Sequence, residues 1–219
     1  LGEPSTEGRA IMTACVEAMF EGPAVVCEEG QEYEFEAPVE GATYAHGADW
    51  GQTSDYSEQV VLRIDTRPLK LVAYCYMRRR PYPEMVGRLD ARILRYPGQA
   101  AHDYTGVGRV GEFMESGEVE DVTMVGRTRE DLFRDMVWSV EHGEHRAPRV
   151  KRLYDMFRFV RNKDLYARSA RMEESVQQGD RPHPPDGFVA YCMANKAAGN
   201  HPVRVLGAVD GAVARQRQV

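Results

Sequence analysis

An acid closes an apolar run at Gly47-Ala48-Asp49-Trp50-Gly51-Gln52-Thr53-Ser54-Asp55-Tyr56-Ser57, and no other stretch constrains the fold as much. Tyr44-Ala45 leads into it, a tight Gly-Gln-Thr-Ser-Asp turn follows, and a β-branched run begins at Val60-Val61-Leu62-Arg63-Ile64. The pattern is strand, turn, strand, with Asp49 at the end of the first strand. A carboxylate is a poor packing residue there, because an unpaired buried charge is costly and strand positions favour apolar groups. Taken alone, Gly-x-Asp-x-Gly is also the signature of a turn stabilised by an Asp. The two readings separate only if other carboxylates converge on Asp49.

A chain of 219 residues is long enough for one substantial α/β domain and short for two. It has no apolar run of membrane-spanning length. Its start, Leu1-Gly2-Glu3-Pro4, has neither the basic region nor the apolar stretch of a signal peptide, and the missing initiator Met suggests a processed chain or a fragment. Cys15, Cys27, Cys75 and Cys192 are scattered, with no Cys-x-x-Cys pair. Cys75 and Cys192 lie in apolar runs, where a thiol acts as a small hydrophobe. A reduced, cytoplasmic setting and no zinc site are expected.

The net charge of −6 argues against a nucleic-acid partner, but the charge is unevenly distributed. Residues 1–46 hold ten Glu and one Arg, leaving the rest of the chain at +3. Between Arg127 and Arg171, twelve Arg and Lys face seven Asp and Glu. The body of the protein is mildly basic, with its basic stretch late.

Residues 9–21 have apolar positions at helical spacing, ended by Gly22-Pro23, and residues 28–42 read as an acidic, solvated arm. The domain is expected to begin near Ala42. Strands are expected over 43–50, 59–65 and 69–77, the last two forming an antiparallel hairpin around Thr66-Arg67-Pro68. A helix over 83–95 follows, then a short strand over 99–103 ending in Asp103, a glycine-bearing loop, a short helix over 110–116 and a strand over 119–125. Thr128 is placed to cap an amphipathic helix over 129–142 that Gly143 ends. A helical stretch starts at Pro148, and the basic–apolar alternation over 158–172 predicts a β-hairpin turning near Asn162-Lys163-Asp164. The last element is an apolar helix from Asp186, and the tail from Gly199 reads as flexible. The fold class is α/β: a mixed five-stranded sheet with helices on both faces, plus the late β-hairpin.

Asp49, Asp103 and Asp186 occupy special places: two strand ends and a helix start. If the strands ending in Asp49 and Asp103 are neighbours, both acids emerge at the carboxyl edge, where α/β sheets place their sites. Clustered carboxylates repel and need a cation. Hard oxygen donors suit Mg²⁺ or Mn²⁺, and two such ions would activate a water and stabilise the leaving oxygen of a phosphodiester. Each acid also has a plainer role open to it. Asp49 and Asp55 suit turns, while Asp103 and Asp186 suit helix N-caps. His183 reads as an exposed loop residue or a group that positions metal or water. His142 and His145 lack companions for a metal site.

From about residue 43 to 197 the chain resembles the nuclease domain of bacteriophage large terminase subunits, a ribonuclease H-like family. The matching features are the Gly-x-Asp strand with a second acid in the turn (Asp49, Asp55) and Asp103-Tyr104-Thr105-Gly106-Val107-Gly108 after the fourth strand. They continue in the Thr128–Gly143 helix followed by Pro148, and in His183-Pro184-Pro185-Asp186 leading to Ala190 and Ala194. The family's paired Asp is reduced to Pro185-Asp186 here, and Val189 stands where some members carry a further Asp. No Gly-x-x-x-x-Gly-Lys-Ser/Thr loop is present, so the ATPase motor of those proteins is missing.

The resemblance implies a metal-dependent endonuclease that cuts double-stranded DNA during viral genome packaging. Asp49, Asp103 and Asp186 would be catalytic and hold one or two Mg²⁺ or Mn²⁺ ions, supported by Asp55 and His183. Arg78, Arg79, Arg80, Arg127, Arg129, Arg158, Arg161 and Lys163 would meet DNA phosphates. Residues 1–42 would be the end of the motor or its linker, 43–198 the nuclease domain and 199–219 a tail. The implied partners are an ATPase domain of the same polypeptide, the portal and the small terminase subunit, at the procapsid portal in the host cytoplasm and away from membranes. Two alternatives stay open: another ribonuclease H-like nuclease of resolvase or transposase type, and a non-catalytic module that positions DNA between motor and portal.

Overall fold

In a computed structural model, which describes residues 8–51, 55–105, 110–115, 119–165 and 184–199, the five expected strands stand side by side. They are β3 (Tyr44–Asp49), β4 (Ser57–Arg63), β5 (Leu69–Met77), β6 (Gly98–Asp103) and β7 (Val119–Val122). Their order is β5-β4-β3-β6-β7, with β3, β4 and β5 antiparallel, and β6 parallel to both β3 and β7. The carboxyl ends of β3 and β6 are therefore neighbours, as the adjacency of Asp49 and Asp103 requires.

The sheet is larger than expected, with eight strands. Residues 9–21 divide into α1 (Thr13–Met19) and the start of β1 (Phe20–Val25). Gly22-Pro23 does not end the helix. It lies in β1 where the register shifts between Glu21 and Val25, with Gly22 at φ +76°. The helix expected from Pro148 is first a strand, β8 (His145–Val150), and only then α4 (Lys151–Phe159). Pro148 is tolerated because the β8–β5 ladder covers only Leu69↔His145 and Lys70↔Arg146, so its missing N–H is not needed on that side.

The acidic arm is exposed for much of its length, yet it is anchored. Its β2 (Tyr33–Glu34) pairs with β5. Glu29 meets Arg78 at 3.3 Å, Glu36 meets Arg63 at 2.5 Å, and Glu34 pairs with Arg95.

Strand alternation divides the core between the two faces. Ala48 of β3 and Trp50 just beyond it pack with Cys75, Met77, Met85, Val86 and Leu89, which seats α2 (Tyr82–Arg95) on one face. Ala45, Val60 and Leu62 face the other way, against α6 (Asp186–Gly199). Ten α6 residues, from Gly187 to Ala198, are buried. A helix apolar all round fits a site enclosed on every side, and α6 lies between the sheet and the layer formed by α1, α3 (Gly126–Glu141) and α4.

Helix α3 begins two residues before Thr128, with Val125 at the N-cap position and no side-chain cap; the glycine bend at Gly126 (φ +51°) starts it instead. The segment over 110–116 is a short 3-10 helix, Val110–Phe113. Where the hairpin turn was expected, the chain makes one helical turn, α5 (Asn162–Leu165), because Asp164 folds back to accept from the Arg161 amide. The remainder of that expected hairpin lies outside the described residues. Among the described residues, no helix is long and apolar enough to cross a membrane.

Candidate metal centre

Asp49 is the last residue of β3 and almost wholly buried, at 9% exposure. It faces the α6 side, like Gly47 two residues earlier. A Cβ at Gly47 would collide with the Ala190 carbonyl and the Ala194 amide, so the bare glycine backbone lets α6 lie directly on β3. That close approach carries Asp186, the first residue of α6, to the same sheet edge.

Asp186 reaches across to the neighbouring turn. The amides of Phe188 and Val189 reach the Pro185 carbonyl, while Asp186 Oδ2 accepts from the Tyr56 amide at 3.1 Å, across the gap to the β3–β4 turn. Asp103, ending β6, accepts from the Thr105 amide at 2.7 Å. This is an Asx-type turn within the loop and not a cap of the 3-10 helix, which starts only at Val110.

These acids act on one another. Burial pushes the Asp49 carboxyl well above the usual carboxylate range, and the charges of Asp186, Asp103 and Glu58 push it further. The three acids singled out in the sequence thus share one electrostatic site.

Glu58 is the member that sequence reasoning missed. It stands directly opposite Asp49 in the β3–β4 register and is fully buried. Its Oε2 accepts from the Tyr74 hydroxyl at 2.7 Å, and Arg152 donates to Oε1 from Nε at 2.8 Å and Nη2 at 2.6 Å. Burial raises Glu58 to about 7, with Arg152 and Tyr74 opposing the shift. The available signal was a charged residue on the inward-facing set Glu58, Val60, Leu62 of a strand.

Beneath the site, on the α2 side, Trp50 Nε1 donates to His102 Nδ1 at 2.8 Å, which leaves His102 Nε2 to donate to Asp121 at 2.6 Å. This chain ties the ends of β3, β6 and β7 together. The turn above Asp49 is closed by Ser57, whose hydroxyl accepts from the Gly51 amide at 2.9 Å.

Asp55 is exposed in that turn, and His183 with Gly106-Val107-Gly108 lies outside the described residues. His142 stacks on Trp138 at 4.0 Å, whereas His145 is buried against Tyr191. Arg78 stacks on Tyr56, whose amide binds Asp186, at 5.1 Å; Arg79 and Arg80 are exposed beside it. Arg127 is 93% exposed on α3 and Lys163 is exposed on α5. Several late basic residues are tied to neighbours: Arg127 to Asp131, Arg129 to the Asp164 carbonyl, Arg158 to Glu17 and the Tyr154 hydroxyl, and Arg161 to Asp164.

Among the described residues, no three His, Cys, Asp or Glu side chains are close enough to enclose an ion. The donor set nevertheless fits a hard divalent cation. It is all oxygen, it is presented from two strand ends and a helix start, and the anionic form of Asp49 is disfavoured by burial first and by the neighbouring acids second, which a bound cation would offset.

No sequence-family profile matches the chain, and no curated protein sequence does. Solved structures do. The large terminase nuclease of thermophilic phage G20c with bound magnesium aligns with a TM-score of 0.68 and 20% identity, covering 88% of this chain and 98% of that one. The large terminase nuclease domain of Thermus phage P74-26 aligns at 0.63 and 21% identity, over 83% and 92%. The large terminase of bacteriophage HK97 aligns at 0.54 and 9% identity, over 85% of this chain and 43% of that one. The chain thus has the ribonuclease H-like fold of the phage large-terminase nuclease domains.

Proposed function

We propose that this chain is the nuclease part of a phage large terminase, a metal-dependent endonuclease that cuts double-stranded DNA during genome packaging. The observation that carries the reading is that Asp103 and Asp186 lie near enough to the buried Asp49 for their charges to add to the rise that burial gives its carboxyl. It is supported by the likeness to the G20c nuclease, solved with magnesium and with cobalt.

Asp49, Asp103 and Asp186 would hold one or two Mg²⁺ or Mn²⁺ ions. Such ions, when bound, make water a nucleophile near neutral pH and offset charge on the leaving oxygen of a phosphodiester. The protein's own part is positional. Strand β3 holds the Asp49 carboxyl in a dry setting, the Tyr56 amide orients Asp186, and the Thr105 amide orients Asp103. Asp55 and His183 would support the set from the adjoining turn and loop. Arg78, Arg79 and Arg80, at the end of β5, would meet backbone phosphates, with Arg127, Arg129, Arg158, Arg161 and Lys163 contributing further basic groups. An ATPase domain of the same polypeptide, the portal and the small terminase subunit would be the partners, at the procapsid portal in the host cytoplasm.

Plasmid cleavage tests this directly, with the wild type beside Asp49→Asn and Asp186→Asn in Mg²⁺, Mn²⁺ or EDTA. Metal-dependent nicking and linearisation, lost in both variants, is the expected result. A folded wild type that cleaves nothing, or cleaves equally in EDTA, overturns the reading.

A further inference from the structure

Beside the carboxylates the chain has built a guanidinium that is held on three sides. Arg152 is the second residue of α4. The Tyr56 ring lies 4.1 Å from its guanidinium carbon and the Tyr76 ring 4.6 Å. Glu58 takes its Nε and one Nη2 hydrogen through a single oxygen. Of the five N–H donors an arginine carries, three have no protein partner among the described residues. The side chain keeps 26% exposure, so those donors are within reach of solvent.

Neutralising Glu58 does not by itself explain this arrangement. Replacing a buried ion pair with neutral groups of similar size is often no loss of stability. What the pair does provide is a fixed orientation: a planar fork between two aromatic faces has little rotamer freedom left to lose when it meets an anion. Tyr56, which supplies one of those faces, is also the residue whose amide binds Asp186. The held guanidinium and Asp186 therefore both rest on Tyr56. A phosphodiester approaching carboxylates meets repulsion, and a flanking cation with open donors relieves it.

We propose that Arg152 is a phosphate-binding residue, seating a backbone phosphate of duplex DNA against the carboxylate edge. This rests on the reading of the chain as a DNA nuclease. Arg78, on the same Tyr56 ring, differs in that its partner Glu29 is itself well exposed. Arg152 is the pre-set contact of the two.

The test removes the structural confound by changing both members of the pair. Arg152→Met alone leaves Glu58 buried without its counter-charge and is expected to melt earlier. Glu58→Gln combined with Arg152→Met leaves no orphan charge and is expected to melt near the wild type. Binding of a short fluorescein-labelled duplex, measured by anisotropy in EDTA across a salt series, then reports on the phosphate contact without any metal. The double variant should bind about tenfold more weakly, with a log–log salt slope shallower by about 1, and its KM for plasmid should rise more than its kcat falls. Wild-type affinity and slope in the double variant, beside a wild type that binds and cleaves, would reduce Arg152 to a counter-ion for Glu58 and overturn the proposal alone. A folded wild type that neither binds nor cleaves duplex overturns the nuclease reading and this inference with it.

Discussion

Asp49 shows what the site costs the protein. Its folded-state carboxyl lies well above the unfolded value, for burial first and the neighbouring acids second. The native state therefore binds a proton that the unfolded chain has released, and stability falls as pH rises from the ordinary carboxylate value through the folded one. Without divalent ions at pH 8, Asp49→Asn should be more stable than the wild type by roughly 1–3 kcal/mol, read from thermal melts. Adding Mg²⁺ or Mn²⁺ should raise the wild-type Tm and leave the variant nearly unmoved. A wild type that is insensitive to both ions would remove the metal from the account. His46 gives the opposite sign. Burial lowers it to about 4, although its Nε2 lies 2.7 Å from the Tyr96 carbonyl. The unfolded chain then binds the extra proton, so the contribution of His46 is complete above about 6.5 and lost progressively as pH falls toward 4. His46→Gln should flatten that acid limb in urea titrations, by up to about 3 kcal/mol at its lower end.

At the scale of elements, the site depends on how closely α6 lies against β3. Gly47→Ala would drive a methyl into the backbone of Ala190 and Ala194, and Gly187→Ala would press on Glu58 and Leu153. Backbone cannot yield as a side-chain tip can, so Gly47→Ala should cost about 2–4 kcal/mol and shift Asp186 away from Asp49. Isothermal titration with Mn²⁺ should show weakened ion binding even where the variant still melts cooperatively. Unchanged stability and ion binding would mean that α6 has room the structure does not show. Elements also mark where sequence pattern stopped being informative. Strand β8 reads His-Arg-Ala-Pro-Arg-Val, a run with a proline and two arginines and no alternation to recognise. Its strand character comes from neighbours, β1 on one side and two residues of β5 on the other. Glycine and proline at 22–23 resemble a helix stop, and only pairing with β8 turns them into a bulged strand.

For the molecule as a whole, residues 8–27 are part of the fold that holds the site. Val16, Met19 and Phe20 are buried in the main core, and Phe20 packs edge-on against Tyr154 and Phe157 of α4, with ring centroids 5.7 and 5.6 Å apart. Helix α4 carries Arg152 and packs on α6, so the start of the chain supports the carboxylate edge through two layers. A chain begun at Ala42 should lose its cooperative melt and its near-ultraviolet circular dichroism, since both β8 and α4 would lose their cover. Phe20→Ala should cost about 3–5 kcal/mol in the full chain. A truncated chain that melts like the full one would place the beginning of the folded unit near Ala42 after all.

The sequence alone determined the five central strands, because short apolar and β-branched runs bounded by turn residues carry that information locally. It also marked Asp49 and Asp103 at the ends of two of those strands and Asp186 at the start of the last helix, since each stands where an apolar run stops or starts. Thr128 and the hairpin near Asn162 were misjudged because capping and turn preferences are weak beside what the neighbouring packing demands. The tertiary structure decided everything that depends on pairing at a distance. Glu58 becomes part of the site only through its register with Asp49, and Arg152 becomes a held guanidinium only where α4 meets the tyrosines of β5 and the β3–β4 turn. A carboxylate's charge is written in the sequence, but its effect falls off with distance and depends on burial, and only the folded chain sets both.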